Sequence, residues 1–187
     1  MNVRALIDAH PLPSPSEMAC WDRGSIHDFG LRGEMLMENA SRETLAVLRE
    51  EFAADAAGIA PFAGKRVLCL AGPGNNGGDA AALARHLLDL GAEVLLLTAR
   101  LQAAYKAEAG AHLRLARRVG VRCRPLASVR LEALPRPDIV VDGLLGTGLS
   151  GPLRPQYLEW IQAVNRLRDA GAFVLALDIP SGLDGRC

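Results

Sequence analysis

Apolar residues along the chain show two kinds of spacing. Up to about residue 50 they recur at helical intervals, as in Leu36, Met37, Ala40, Leu45 and Leu48. From Arg66 onward they gather into short unbroken runs separated by longer stretches of helical period. Ser14-Pro15-Ser16-Glu17 combines an N-cap serine, a proline at the first helical position and a glutamate three residues after the cap. That capping box predicts a helix from there to about Phe29, and a second helix follows Gly33. Beyond them the pattern predicts strands over 67–71, 93–98, 121–124, 138–142 and 173–179. Helices over 77–90, 103–119 and 155–170 are predicted between them, each ended by a glycine: Gly91, Gly120 and Gly171.

Strands that alternate with helices of ten or more residues imply parallel pairing through crossovers. Strands that are apolar without alternation imply a sheet covered on both faces. The predicted fold is a doubly wound α/β sandwich with two helices in front. The length of 187 residues suits one such domain, with no internal repeat or linker. The chain stops at Gly185-Arg186-Cys187, directly after a strand and loop. The expectation is therefore one domain over 1–187, cut short at its C-terminus.

Composition narrows the function classes. Lys and Arg number 21 against 21 Asp and Glu, so no net charge favours nucleic acid or an anionic membrane. No apolar stretch approaches the roughly 20 residues a membrane span takes, and no export signal opens the chain. Cys20, Cys69, Cys123 and Cys187 are scattered without zinc spacing and read as reduced, buried thiols of a cytoplasmic protein. The run Arg114, Arg117, Arg118, Arg122 and Arg124 reads as a solvated helix face. His86 and His112 sit in predicted helices with no evident carboxylate partner and read as surface or packing residues. Glu38-Asn39 either reaches the site or faces solvent.

In open α/β sheets, ligands bind beyond the carboxyl ends of the strands. Three loops there are unusual. Gly72-Pro73-Gly74-Asn75-Asn76-Gly77-Gly78-Asp79 sets glycines and amides before a helix N-terminus, a place suited to an anion. It contains GxGxxG, but the following strand ends Leu97-Thr98-Ala99-Arg100, without the acid that holds a ribose in hydride-transfer enzymes. Asp142-Gly143-Leu144-Leu145-Gly146-Thr147-Gly148-Leu149-Ser150-Gly151-Pro152 places an aspartate at a strand end and then a glycine-rich hydroxyl loop. Asp178-Ile179-Pro180-Ser181-Gly182-Leu183-Asp184-Gly185 repeats the aspartate, with Ser181 stiffened by the preceding proline. These loops supply oxygens and no histidine or cysteine, which suits a hard cation.

With Met37-Glu38-Asn39-Ala40, these three loops in this order resemble the YjeF N-terminal domain family, the NAD(P)H-hydrate epimerases. The resemblance runs from about Ser14 to the last residue. It implies a Rossmann-like three-layer α/β/α sandwich with a mostly parallel sheet. It implies interconversion of the R and S forms of NADHX and NADPHX, cofactors hydrated at C6 of the nicotinamide ring. An ADP- or ATP-dependent dehydratase, separate or fused C-terminally, then repairs the S form; a homodimer also fits the resemblance. By match, Asn75, Asn76, Gly77, Gly78, Asp79, Gly146, Thr147, Gly148, Leu149, Ser150, Gly151, Pro152 and Asp178 bind substrate. Asn76, Asp142 and Ser181 coordinate a potassium ion. Many members carry a basic or aromatic residue in the loop after Asp142, where this chain has Leu149-Ser150-Gly151-Pro152-Leu153 with Arg154 just beyond.

The C6 hydroxyl belongs to a hemiaminal, so protonation and the ring nitrogen's lone pair help it leave, and water returning to the opposite face inverts the centre. Asp142 is the first candidate for the acid–base group and Asp178 the second. A cation beside Asp142 favours its ionised form, which suits a base or water-positioning role and leaves Asp178 as the acid. Two other readings stand beside this one. The first is an inert scaffold or dimerisation module of the same fold that binds a nucleotide-like ligand. The second is a Rossmann oxidoreductase, disfavoured by the missing acid.

Overall fold

The unbroken apolar runs become strands buried on both faces. In the computed structural model, which describes residues 13–52, 62–149 and 151–184, five strands form one sheet. They are β1 (Arg66–Ala71), β2 (Glu93–Thr98), β3 (Arg122–Pro125), β4 (Ile139–Gly143) and β5 (Phe173–Ala176). All four neighbouring pairs are parallel and the order is β3-β2-β1-β4-β5. The helices are α1 (Pro15–His27), α2 (Gly33–Phe52), α3 (Asn75–Asp89), α4 (Ala107–Arg118) and α5 (Pro155–Asp169).

Alternate strand residues go to opposite layers. Val67, Cys69 and Ala71 of β1 join Leu83 and Leu87 of α3, Leu113 of α4 and Leu48 of α2 in one core. Leu68 and Leu70 join Tyr157, Trp160, Val164 and Leu167 of α5 in the other. Each fully buried leucine contributes about 1.5–3 kcal/mol by leaving water. The chain thus forms the three-layer, doubly wound sandwich expected, and every described strand pairing is parallel.

Several boundaries differ for physical reasons. The expected helix over 103–119 is split into a 3₁₀ turn, Gln102–Ala104, and α4. Between them Tyr105 turns inward and donates its hydroxyl to the Ala71 carbonyl at 2.7 Å. The final strand ends at Ala176 rather than 179, because Ala176 already pairs with Asp142 near the end of β4. Helix α3 begins at Asn75, two residues earlier than expected, so both asparagines belong to its first turn. Helix α1 carries the expected capping box on Ser14 and Glu17 but buries none of its residues.

The winding direction reverses between β1 and β4, which opens a crevice at their carboxyl ends. Loops after β1, β4 and β5 meet there.

Candidate functional site

Asp142, at the end of β4, is 7% exposed. Its carboxylate accepts hydrogen bonds from the Ser181 hydroxyl (2.6 Å), the Ser181 backbone N–H (2.9 Å) and the Leu144 N–H (3.2 Å). The Ser181 oxygen in turn accepts from the Leu145 N–H at 2.9 Å. Asn76 of α3 donates its amide to the Leu145 carbonyl at 2.8 Å, which leaves the amide oxygen free of that contact. The structure thereby brings together Asn76, Asp142 and Ser181 around Leu145. The Asp142 carboxylate, the Ser181 hydroxyl, the Leu145 carbonyl and the Asn76 amide lie together, and their oxygens are the donor type that suits a hard cation. The Leu145 carbonyl was not among the expected residues, because nothing in a backbone carbonyl's sequence context marks it.

Beside this knot lies an open cleft of about 1240 Å³. Of the residues expected to bind substrate, Asn75, Asn76, Asp79, Gly146, Thr147, Gly148, Leu149, Pro152 and Asp178 line it. Gly77 and Gly78 do not. Both are buried, and their lack of a side chain serves packing. A Cβ on Gly77 would fall 1.8 Å from the Gly72 carbonyl oxygen, and one on Gly78 would fall 2.5 Å from Met37 Sδ. Asp142, Ser181 and Gly151 also lie outside the lining, and Ser150 lies outside the described residues. The Asp142 oxygens face Ser181 and the loop backbone.

Four carboxyl residues line the cleft: Asp22, Asp79, Glu108 and Asp178. Asp178 is exposed and accepts from the Thr147 N–H (2.7 Å) and hydroxyl (3.0 Å). Asp79, on α3, receives no hydrogen bond from the described residues. Burial, and then the nearby Asp178 and Asp22 carboxylates, push its acid up to about 7. The lining further includes Met18 of α1, Arg100 after β2, and Arg154 and Tyr157 at the start of α5. Arg154 and Tyr157 are a basic and an aromatic residue just beyond the loop 149–153. The N-terminus of α3 has no side-chain cap at Gly74, so its partial positive charge opens onto the cleft.

Glu38 settles into a third polar cluster. It pairs with Arg85 and lies 3.0 Å from His86 Nε2 and 3.9 Å from His112 Nδ1. The two histidines therefore have a carboxylate neighbour, contrary to their reading as partnerless, and His112 is 5% exposed. The His86 contact is close but not aligned as a hydrogen bond. Burial, ahead of the Arg85 charge, lowers the pKa of His86. Among the described cysteines Cys69 is buried, Cys123 half-buried and Cys20 exposed, so the reading of all as buried thiols holds only in part. No helix among the described residues is long and apolar enough to cross a membrane.

Residues 33–186 match the family described as YjeF-related protein N-terminus. An NAD(P)H-hydrate epimerase of Rhodopirellula baltica is 39% identical over 165 residues, which cover 88% of this chain and 62% of that protein. A bifunctional NAD(P)H-hydrate repair enzyme Nnr of Thermofilum pendens is 37% identical over 91% of this chain and 31% of its own length. An NAD(P)H-hydrate epimerase of Nitrosopumilus maritimus is 31% identical over 84% of this chain and 69% of its own. The chain thus spans less than two thirds of the first two relatives. The crystal structure of the yeast protein YNL200c shares the fold, with a TM-score of 0.75 at 22% identity, over 92% of this chain and 72% of that one.

Proposed function

The chain belongs to the family of YjeF-related protein N-termini, and on that premise we propose that it is an isomerase interconverting the R and S forms of NADHX and NADPHX. One observation carries the chemistry: Asp79 and Asp178 line the same cleft, the first holding its proton up to about pH 7 and the second held by Thr147. A carboxyl group that keeps its proton in a cleft is suited to give it to a leaving hydroxyl, and a second carboxyl group beside it is within reach of the returning water.

In this reading the substrate's pyrophosphate rests at the open N-terminus of α3, beside Asn75 and Asn76. The nicotinamide ring lies toward Asp178. Asp79 gives its proton to the C6 hydroxyl, which leaves as water while the ring nitrogen's lone pair forms the iminium. Water then adds to the opposite face and passes a proton to Asp178. The open cleft returns the proton balance through solvent. Asp142 anchors the site rather than reacting. Asn76, Asp142, Ser181 and the Leu145 carbonyl would hold a potassium ion. When bound, that ion would supply positive charge that ties the loops together.

The partner is an ADP- or ATP-dependent dehydratase acting on the S form in the cytoplasm. Relatives named as bifunctional repair enzymes and others named as epimerases alone support a dehydratase partner, either fused or separate. A homodimer would use the exposed Trp21, Phe29 and Met35. The test supplies R-NADHX with excess S-specific dehydratase and its nucleotide, and follows NADH recovery. Recovery faster than spontaneous epimerisation that depends on this protein is expected. Nucleotide binding without acceleration would favour the inert scaffold.

A further inference from the structure

Arg100 has no role in the chemistry above, yet it lines the cleft at the carboxyl end of β2. Its side chain makes no hydrogen bond or ion pair with any described residue. The surrounding rim is acidic, with Asp22, Asp79, Asp178 and Glu108. Arg100 is exposed, and a guanidinium without a partner among the described residues is available to an anion entering the cleft.

The topology says what that is. Across the sheet edge the order is β2, β1, β4, β5. Asp178 follows β5, the uncapped α3 N-terminus follows β1, and Arg100 follows β2. Three strand spacings separate the ends, about 14 Å. That separation suits an extended dinucleotide with its nicotinamide near Asp178, its pyrophosphate at α3 and its adenosine ribose above β2. In dinucleotide sites an acid after the second strand holds the ribose diol, whereas an arginine there accommodates a 2′-phosphate. This strand ends Leu97-Thr98-Ala99-Arg100, with the cation and without the acid.

We infer that Arg100 receives the 2′-phosphate of the adenosine ribose and makes this chain selective for NADPHX over NADHX. The inference rests on the epimerase reading for its substrate, but its placement of the ribose does not depend on turnover. The planar guanidinium can meet the phosphate with two parallel hydrogen bonds, which a lysine cannot reproduce.

The test measures kcat/KM for R-NADPHX and R-NADHX with the wild type, Arg100→Ala, Arg100→Lys and Arg100→Asp. Alongside, calorimetry measures binding of 2′,5′-ADP and of 5′-AMP to the same proteins. The wild type is expected to prefer the phosphorylated hydrate by roughly 10–100-fold, the value of a charge-assisted pair. Arg100→Ala should collapse that ratio, Arg100→Lys should keep only part of it, and Arg100→Asp should invert it. The preference for 2′,5′-ADP over 5′-AMP should move in step. Equal losses on both hydrates, or a wild type without preference in either assay, would overturn the inference. If neither hydrate is turned over, the epimerase reading fails. The two adenosine ligands then decide the inference alone: a 2′-phosphate preference lost in Arg100→Ala upholds it, and equal binding overturns it.

Discussion

Two acidic sites lie side by side in this molecule and are built in opposite ways. Around Asp142 every contact is mutual: three donors reach its carboxylate, two of them from Ser181, and the Ser181 hydroxyl is itself tied to Leu145. Around Asp79 no described donor is supplied, and Asp178 and Asp22 add repulsion to burial. A buried carboxylate with its hydrogen bonds complete costs the fold little and can hold loops or a cation. A carboxyl left short of donors beside like charges keeps a proton it can give away. The contrast sets a carboxylate satisfied by the loops around it against one left without a described donor.

The sharpest way to break this contrast is to neutralise each carboxylate and compare. Asp79→Asn should lower kcat by about 10²–10⁴-fold, the usual contribution of a placed acid–base group, while the protein stays folded. Coupled NADH recovery and a thermal melt read the two effects separately. Asp142→Ala should do the reverse in its first effect. It orphans the Ser181 and Leu144 N–H groups at about 1–3 kcal/mol each, so Tm should fall by roughly 5–15 °C. Any stabilisation of the wild type by potassium should vanish with it, which melts in potassium and in a potassium-free buffer would show.

The third prediction uses pH. Asp79 has a folded pKa raised from 3.8 to about 7, so the folded state binds more protons than the unfolded state between those values. The stability it contributes is therefore complete below about pH 4 and declines as pH rises toward 7, by up to about 4 kcal/mol. Asp79→Asn should remove that decline, making the variant more stable than wild type at pH 8 and similar at pH 4. Urea titrations at both pH values measure the difference.

The smallest effect serves as a control away from the cleft. Glu38→Gln weakens the contacts to Arg85 and His86 in the helical layer. A loss of about 1–2 kcal/mol in stability is expected, with catalysis in the folded protein unchanged. A catalytic loss there would blur the division between the two acidic sites.

The strands β1, β2 and β4 were legible in sequence because burial on both faces makes them continuous apolar runs bounded by turn residues. The break before α4 was not, because it depends on Tyr105 meeting the Ala71 carbonyl, a contact made only after β1 and α4 are packed. Likewise the three loops announced a site through their glycines, amides and carboxylates, and their convergence on Leu145 follows. The difference in surroundings between Asp142 and Asp79 was hidden. It depends on which carboxylate finds donors, and Asp79 is set apart by Asp178 and Asp22, which are far from it along the chain. Glu38 had two open readings because its partners Arg85, His86 and His112 lie on two other helices. Gly77 and Gly78 looked like ligand contacts, but their crowding by Gly72 and Met37 is a tertiary fact.

The central claim is that this cleft inverts C6 of the hydrated nicotinamide by releasing its hydroxyl and readmitting water. The direct measurement incubates purified R-NADHX with the protein in H₂¹⁸O and follows the S form by chromatography and mass spectrometry. The account predicts S-NADHX appearing faster than the spontaneous rate and carrying one ¹⁸O. No acceleration would contradict the epimerase, and accelerated but unlabelled S-NADHX would contradict the loss and return of water.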